Sequence, residues 1–160
     1  MFAPGESARQ EEIALVRQFV AITKALACEK RLRILMALHN RELCEGVITE
    51  MLGLSPATTS RHLWLLRQAG LVDSEKAGRC VCYRLAVANP STVAAKTLRW
   101  VRECLTQQPQ IVEDATQAQA LSGRSPVQAE CRQRRQRLAM RRSESVARPR
   151  RKRGANNTTR

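Results

Sequence analysis

A chain of 160 residues with 3% aromatic content has material for one domain of about 100 residues and a remainder too poor in large apolar side chains to build a second core. No apolar run approaches the roughly 20 residues that span a bilayer, and the first residues carry no basic-then-apolar signal segment, so the expectation is a cytoplasmic protein with no membrane partner. A net charge of +14 points instead to a polyanion, nucleic acid ahead of an anionic membrane surface, and the charge is uneven: residues 1–105 carry 15 Lys+Arg against 10 Asp+Glu, residues 106–160 carry 13 against 4.

In chain order, 6–25 reads as a helix with one apolar stripe (Ile13, Val16, Phe19, Val20, Ala21) that needs a partner. A second helix is predicted over 29–38, with Leu32, Leu35, Met36 and Leu38 inward and Lys30, Arg31 and Arg33 outward, ended by His39-Asn40. A third follows over 44–52, with Val47, Ile48, Met51 and Leu52 inward and Gly53 as its stop. Ser55 then offers an N-cap oxygen and Pro56 suits the first turn, opening a helix over 55–68. On it, Thr59, Leu63 and Leu66 recur at core spacing, which leaves a small, polar and basic face of Ala57, Thr58, Arg61 and parts of Ser60 and His62. Gly70 ends that helix. Two short strands, 71–76 and 80–85, flank Ala77-Gly78 as a basic hairpin, and a last helix starts at Pro90 or Ser91 and runs to 105 with Val93, Thr97, Trp100, Val101 and Cys104 on one stripe.

The fold class is therefore mainly α with a small β-hairpin, a winged helix-turn-helix. Residues 1–105 are expected to form the DNA-binding domain, its first and last helices supplying a homodimer interface from their leftover apolar surface. Residues 106–123 are expected to be a linker. Residues 124–160 are expected to be a basic, disordered tail with a transient helix around 128–142, since they hold 13 Lys+Arg and no aromatic residue. The tail reads equally as an arm that adds phosphate contacts or as a solvated extension.

Leu26-Ala27-Cys28-Glu29-Lys30-Arg31-Leu32-Arg33-Ile34-Leu35, Glu42-Leu43-Cys44, Ser60-Arg61-His62-Leu63, Leu66-Arg67-Gln68-Ala69-Gly70-Leu71-Val72, Gly78-Arg79 and Tyr83-Arg84-Leu85, in that order, resemble the ArsR/SmtB family of bacterial winged-helix repressors over about residues 10–105. The resemblance implies a homodimer on a partly palindromic operator in double-stranded DNA, released when an inducer binds thiolates or imidazoles. It also places the reading helix on 55–68 and the wing on 76–84. Candidate DNA contacts are Ser55, Thr58, Ser60, Arg61 and His62 on the helix, with Lys76 and Arg79 on the wing. Arg61 suits paired hydrogen bonds to guanine, the hydroxyls suit base edges or phosphate, and wing cations suit adjacent phosphates. His62 also reads as a helix residue half-packed under the wing.

The six cysteines include no Cys-x-x-Cys pair. Arsenic-responsive members of the family carry Glu-Leu-Cys-x-Cys-x-x-Cys; here Cys44 keeps the first thiol, while Gly46 and Thr49 stand at the other two positions. The zinc-type set of Asp and His on the last helix is missing, since 91–105 holds neither. Candidate sensing thiols are Cys28, which replaces a good helix cap, then Cys44, Cys104, and Cys80 with Cys82, which alternate on one face of a strand. That cysteine face is expected to be the more exposed one. The inducer expected is As(III) or a soft divalent metal, with no resident cofactor; the alternatives are a thiol-redox sensor on the same fold and a non-specific basic nucleic-acid binder. No paired acids, nucleophile with a base, or phosphate-cradling glycine loop suggests an enzyme.

Overall fold

The computed structural model describes residues 4–86 and 92–130, together with 132, 133, 136, 137 and 140. Helix α1 (Pro4–Leu26) leads into α2 (Glu29–Ala37), whose buried Ile34, Leu35, Met36 and Ala37 form the floor of the core. Asn40, at φ 58, takes the left-handed conformation that a short polar side chain tolerates, and so turns the chain out of α2. A two-residue strand β1 (Leu43–Cys44) follows, then α3 (Glu45–Leu52), ended by Gly53 at φ 63, then α4 (Pro56–Gln68). The hairpin is β2 (Val72–Ala77) with β3 (Cys80–Leu85), and α5 (Val93–Leu105) and α6 (Pro109–Arg124) close the order. Leu35, Leu38, Leu43, Ile48, Leu63, Leu66 and Leu71 are all essentially inaccessible and join α2, α3, α4 and the sheet in one core.

Winged helix-turn-helix architecture over the first two thirds of the chain follows the sequence expectation closely; three features differ. First, the sheet has three strands, ordered β1-β3-β2, with Leu43 opposite Tyr83 and Cys44 opposite Cys82. Cys44 therefore leaves the third helix, expected over 44–52, and becomes its N-cap residue without a side-chain cap bond. Second, the stretch expected as a linker over 106–123 contains α6, which packs on α2 and α3. Its alanines favour helix, and Ala118, fully buried, lets the two backbones approach. Third, Arg33, expected on the outer face of α2, turns onto α6: Nε and Nη2 donate to the two Asp114 carboxylate oxygens at 2.6 and 2.7 Å. Asp114 is 1% exposed, and its charge raises the Arg33 pKa above its ordinary value, the paired hydrogen bond being the largest cause.

The start of the last helix expected at 90 or 91 lies outside the described residues; Thr92 caps the observed α5 by accepting from the Ala95 N–H at 3.2 Å. Most of the basic tail over 124–160 also lies outside them. Its beginning does not: Ser125 accepts from the Gln128 N–H, residues 126–130 are helical, and Gln128 is buried.

Candidate nucleic-acid interface and thiol cluster

Helix α4 is positioned by its own start. Ser55 Oγ accepts the Thr58 N–H at 3.2 Å and shares a 2.8 Å contact with Thr58 Oγ1, while Pro56 occupies the turn where a missing N–H is harmless. Burial of Thr59, Leu63 and Leu66 then fixes which face turns outward. Thr58, Ser60 and Arg61 are exposed, as expected, and so is Trp64 at 53%, a residue the sequence reading did not single out. Its large apolar ring on a polar face was the available signal.

Ser60 is held from behind. Its hydroxyl donates to Glu45 Oε1 at the start of α3, and Tyr83 on β3 donates to the other Glu45 oxygen at 3.4 Å. Burial, reinforced by Glu45, pushes the Tyr83 phenol up to about 12, so it stays protonated and donating. His62 is half-buried with its Nδ1 out of reach of any hydrogen-bond partner; burial first, then Arg31, Arg61 and Lys30, lowers its pKa. Its ring is thus half-packed and sits among cations, Arg31 and Lys30 of α2 and Arg61 of α4. On the wing, Lys76 and Arg79 are exposed, and Arg84 lies near Glu75 and Asp73, at 3.5 and 3.8 Å.

Among the described residues the thiols divide into two sets. Cys28 starts α2 with no side-chain cap bond, and Cys104 is exposed in the last turn of α5. Cys44, Cys80 and Cys82 gather in a small cluster on one face of the sheet. The cysteine face was expected to be the exposed one, and here the structure corrects the reading: Cys82 is 2% and Cys44 1% exposed, because β1 adds a strand beside β3 that sets Cys44 against Cys82, and the segment after α6 packs on Cys44. Their sulfurs are 2.8 Å apart, and the Val127 carbonyl lies 4.0 Å from the Cys44 sulfur. Gln128 supplies the rest of the cover; its Oε1 accepts the Cys44 N–H at 2.7 Å and its Nε2 donates to the Glu42 carbonyl at 2.8 Å. Among the described residues no three His, Cys, Asp or Glu side chains come together as a set able to hold a metal ion.

A third feature is apolar. Ile13, Leu15, Val16, Phe19 and Val20 on α1 are each 43–59% exposed, and Trp100 on α5 is 60% exposed. Leu15, Val16, Phe19, Val20 and Trp100 line an open groove of about 620 Å³ between the two helices.

The sequence profile described as "Bacterial regulatory protein, arsR family" matches residues 28–74, which run from the start of α2 into the hairpin. Over 110 residues, 69% of this chain and 90% of the other, the chain is 34% identical to the HTH-type transcriptional regulator CmtR of Mycobacterium tuberculosis. The chain belongs to the ArsR family. This ArsR-family chain is also 42% identical over 67 residues to the transcriptional activator HlyU of Vibrio cholerae and 48% identical over 61 residues to the cadmium resistance transcriptional regulatory protein CadC of Listeria innocua. Those matches span 62% and 51% of the relatives' own lengths, and 42% and 38% of this chain. Among solved structures it resembles reduced HlyU from Vibrio cholerae, with TM-score 0.51, 34% identity, and coverage of 61% of this chain and 99% of that one. It also resembles a homodimeric winged helix-turn-helix DNA-binding domain from Mycobacterium bovis, with TM-score 0.52, 29% identity, and coverage of 59% and 84%. The relatives are transcriptional regulators and not enzymes.

Proposed function

We propose that this ArsR-family regulator is a cytoplasmic homodimeric repressor that binds a partly palindromic operator in double-stranded DNA and releases it when a thiol-reactive inducer acts on its cysteines. The observation that carries the reading is the face of α4: capped at Ser55, anchored by three buried residues, and turning Thr58, Ser60, Arg61 and Trp64 to solvent. An exposed guanidinium on a rigid helix can make the paired contact to guanine that specifies a base, while Ser55 at the start of the same helix, His62 on it and Lys76 and Arg79 on the wing offer donors for phosphate.

Dimerisation is supported by the α1–α5 groove. Leu15, Val16, Phe19 and Val20 on α1 and Trp100 on α5 face solvent around one groove, and a second copy related by a two-fold axis would bury both grooves at once. The same axis would place two α4 helices on successive turns of one DNA face, which requires a palindrome. Residues 1–105 make up the DNA-binding and dimerising unit in this reading, and the 124–160 tail adds sequence-independent phosphate contacts.

The inducer class is set by sulfur: arsenite, a soft divalent metal or an oxidant. Carry-over of the three-thiol arsenic set fails at Gly46 and Thr49, and what supports a sulfur-directed inducer is the packing of Cys44 and Cys82 with Cys80 beside them. The test is titration of reduced protein onto a labelled palindromic duplex and a scrambled one of equal length. A preference of at least about 1000-fold for the palindrome supports the operator reading; equal affinity for both refutes it in favour of a general nucleic-acid binder.

A further inference from the structure

The contacts of Cys44 make the cluster more specific than a set of nearby thiols. In an antiparallel pair each residue's N–H and C=O point either toward the neighbouring strand or away from it, alternating along the chain. The Cys44 N–H goes to Gln128, on the side away from β3, so the Cys44–Cys82 pair is of the non-hydrogen-bonded kind. At such positions the Cα atoms approach to about 4.5 Å and the side chains lie closest, inside the span of about 4.4–6.8 Å that a disulfide bridges. The two sulfurs, 2.8 Å apart, need to close only about 0.8 Å to reach bonding distance. Cys80, two residues along the same strand, lacks that geometry toward Cys82.

The neighbours of the pair are the second observation. Glu45 follows Cys44, Tyr83 follows Cys82, and both meet at the Glu45 carboxylate that also holds Ser60 of the reading helix. A covalent bond between β1 and β3 would therefore be made one residue away, on each strand, from the contact that sets Ser60.

We propose that Cys44 and Cys82 form a peroxide-oxidisable dithiol whose disulfide resets the reading helix through Glu45. This rests on the DNA-binding reading above and names its inducer as an oxidant of the hydroperoxide class. One cysteine thiolate attacks a peroxide oxygen; the S–O bond forms as the O–O bond breaks, and the departing alkoxide or hydroxide takes a proton. The second sulfur then displaces water from that sulfenic acid, giving the S–S bond. Two electrons and two protons leave the thiols, and one hydroperoxide becomes an alcohol, or water, plus water. A dithiol reductant reverses the change. Val127 and Gln128, which contact Cys44 from the segment after α6, lie over the pair.

The test uses the full chain, reduced and then exposed to hydrogen peroxide. The expected result is a mass loss of about 2 Da, reversed by dithiothreitol, with a cross-linked peptide joining Cys44 to the 80–84 peptide. Cys80→Ser, Cys28→Ser and Cys104→Ser retain the cross-link, while Cys44→Ser and Cys82→Ser lose it. On the palindromic duplex, oxidised wild-type protein binds at least about fivefold more weakly than reduced, and treated Cys44→Ser and Cys82→Ser proteins bind as their reduced forms do. A cross-link to a different cysteine, or its survival in Cys82→Ser, overturns the dithiol; a correct cross-link with unchanged DNA affinity overturns the coupling through Glu45. Failure of the reduced protein to select the palindrome would instead count against the DNA-binding reading, leaving the cross-link result separate.

Discussion

Removing the Asp114 carboxylate is expected to be the most damaging single change outside the central core. Asp114 is 1% exposed and accepts three hydrogen bonds: two from Arg33 at 2.6 and 2.7 Å and one from Gln110 Nε2 at 3.2 Å. In Asp114→Ala the guanidinium of Arg33, whose side chain is 11% exposed, keeps its charge with no buried partner. Glu29, 3.9 Å away and 76% exposed, is a poor substitute because solvent screens it. Breaking a buried pair from one side costs about 3–5 kcal/mol, which lowers the folded-to-unfolded ratio by a factor on the order of 100 to several thousand. Urea unfolding followed by far-UV circular dichroism, at one fixed protein concentration so that association does not intrude, reads this directly. Arg33→Ala should lose a similar amount. The double replacement Arg33→Met with Asp114→Leu should recover most of it, because it removes both charges and refills the space with apolar atoms. A loss below about 1 kcal/mol for Asp114→Ala, or a double variant as damaged as the sum of the singles, would show that the pair is screened and that α6 docks by apolar contact alone.

Four further outcomes follow from the same geometry. Arg61→Ala should weaken binding to the palindromic duplex by about 1–3 kcal/mol with a much smaller change on the scrambled one, measured by fluorescence anisotropy at constant salt; equal losses on both would make Arg61 a phosphate contact. Phe19→Glu combined with Trp100→Glu should shift the protein toward monomer in sedimentation equilibrium, and an undisturbed dimer would place the interface away from the α1–α5 groove. His39 and His62 both have pKa values lowered by burial, then by Arg102 and Arg41 for His39 and by Arg31, Arg61 and Lys30 for His62. Since the unfolded chain binds protons at the ordinary 6.5, stability should be intact above that pH and decline as pH falls from 6.5 through the folded values, an acid slope that His39→Gln/His62→Gln flattens. Gln128→Ala should speed peroxide closure of Cys44 with Cys82 by lifting the cover, read as the rate of the mass loss; an unchanged rate would mean that residues 125–130 do not limit access.

What could be read in advance divides along physical lines. Helix α4 was legible because its signals are local: Ser55 and Pro56 at one end, Gly70 at the other, and three core positions at helical spacing. Strand β1 was not, since two residues carry no periodicity and exist as a strand only because β3 lies beside them. Helix α6 was hidden for a related reason. Its apolar stripe is thin, and its docking depends on an ion pair between residues 81 apart in sequence, which no window of a dozen residues can contain. Misplacing the cysteine face followed from both omissions: with no β1 and no segment behind α6, nothing would cover Cys82. Trp64, three residues after Arg61 and seven after Ala57, shares the outward face by helical spacing, but its large apolar ring does not fit the polar pattern by which that face was read.

The missed elements are also the ones that bring sensing and recognition together. In a hairpin wing alone, Cys80 and Cys82 would sit about 20 residues along the chain from Ser60, with no shared contact to link them. β1 changes this by placing Cys44 against Cys82, and because Cys44 directly precedes α3, the next side chain, Glu45, begins the helix that packs on α4. Glu45 then receives Ser60 on one oxygen and Tyr83 on the other, so three elements meet at a single carboxylate one residue from each sulfur. Gln128 closes the outer edge of β1 much as another strand's peptide would, offering an acceptor to Cys44 N–H and a donor to the Glu42 carbonyl. That cap depends on where α6 ends, and α6 is held by Asp114. A loosened α6 should therefore act at the thiols as well as on stability: Asp114→Ala and Gln128→Ala should both speed closure of the dithiol, and only the first should lower the urea midpoint strongly.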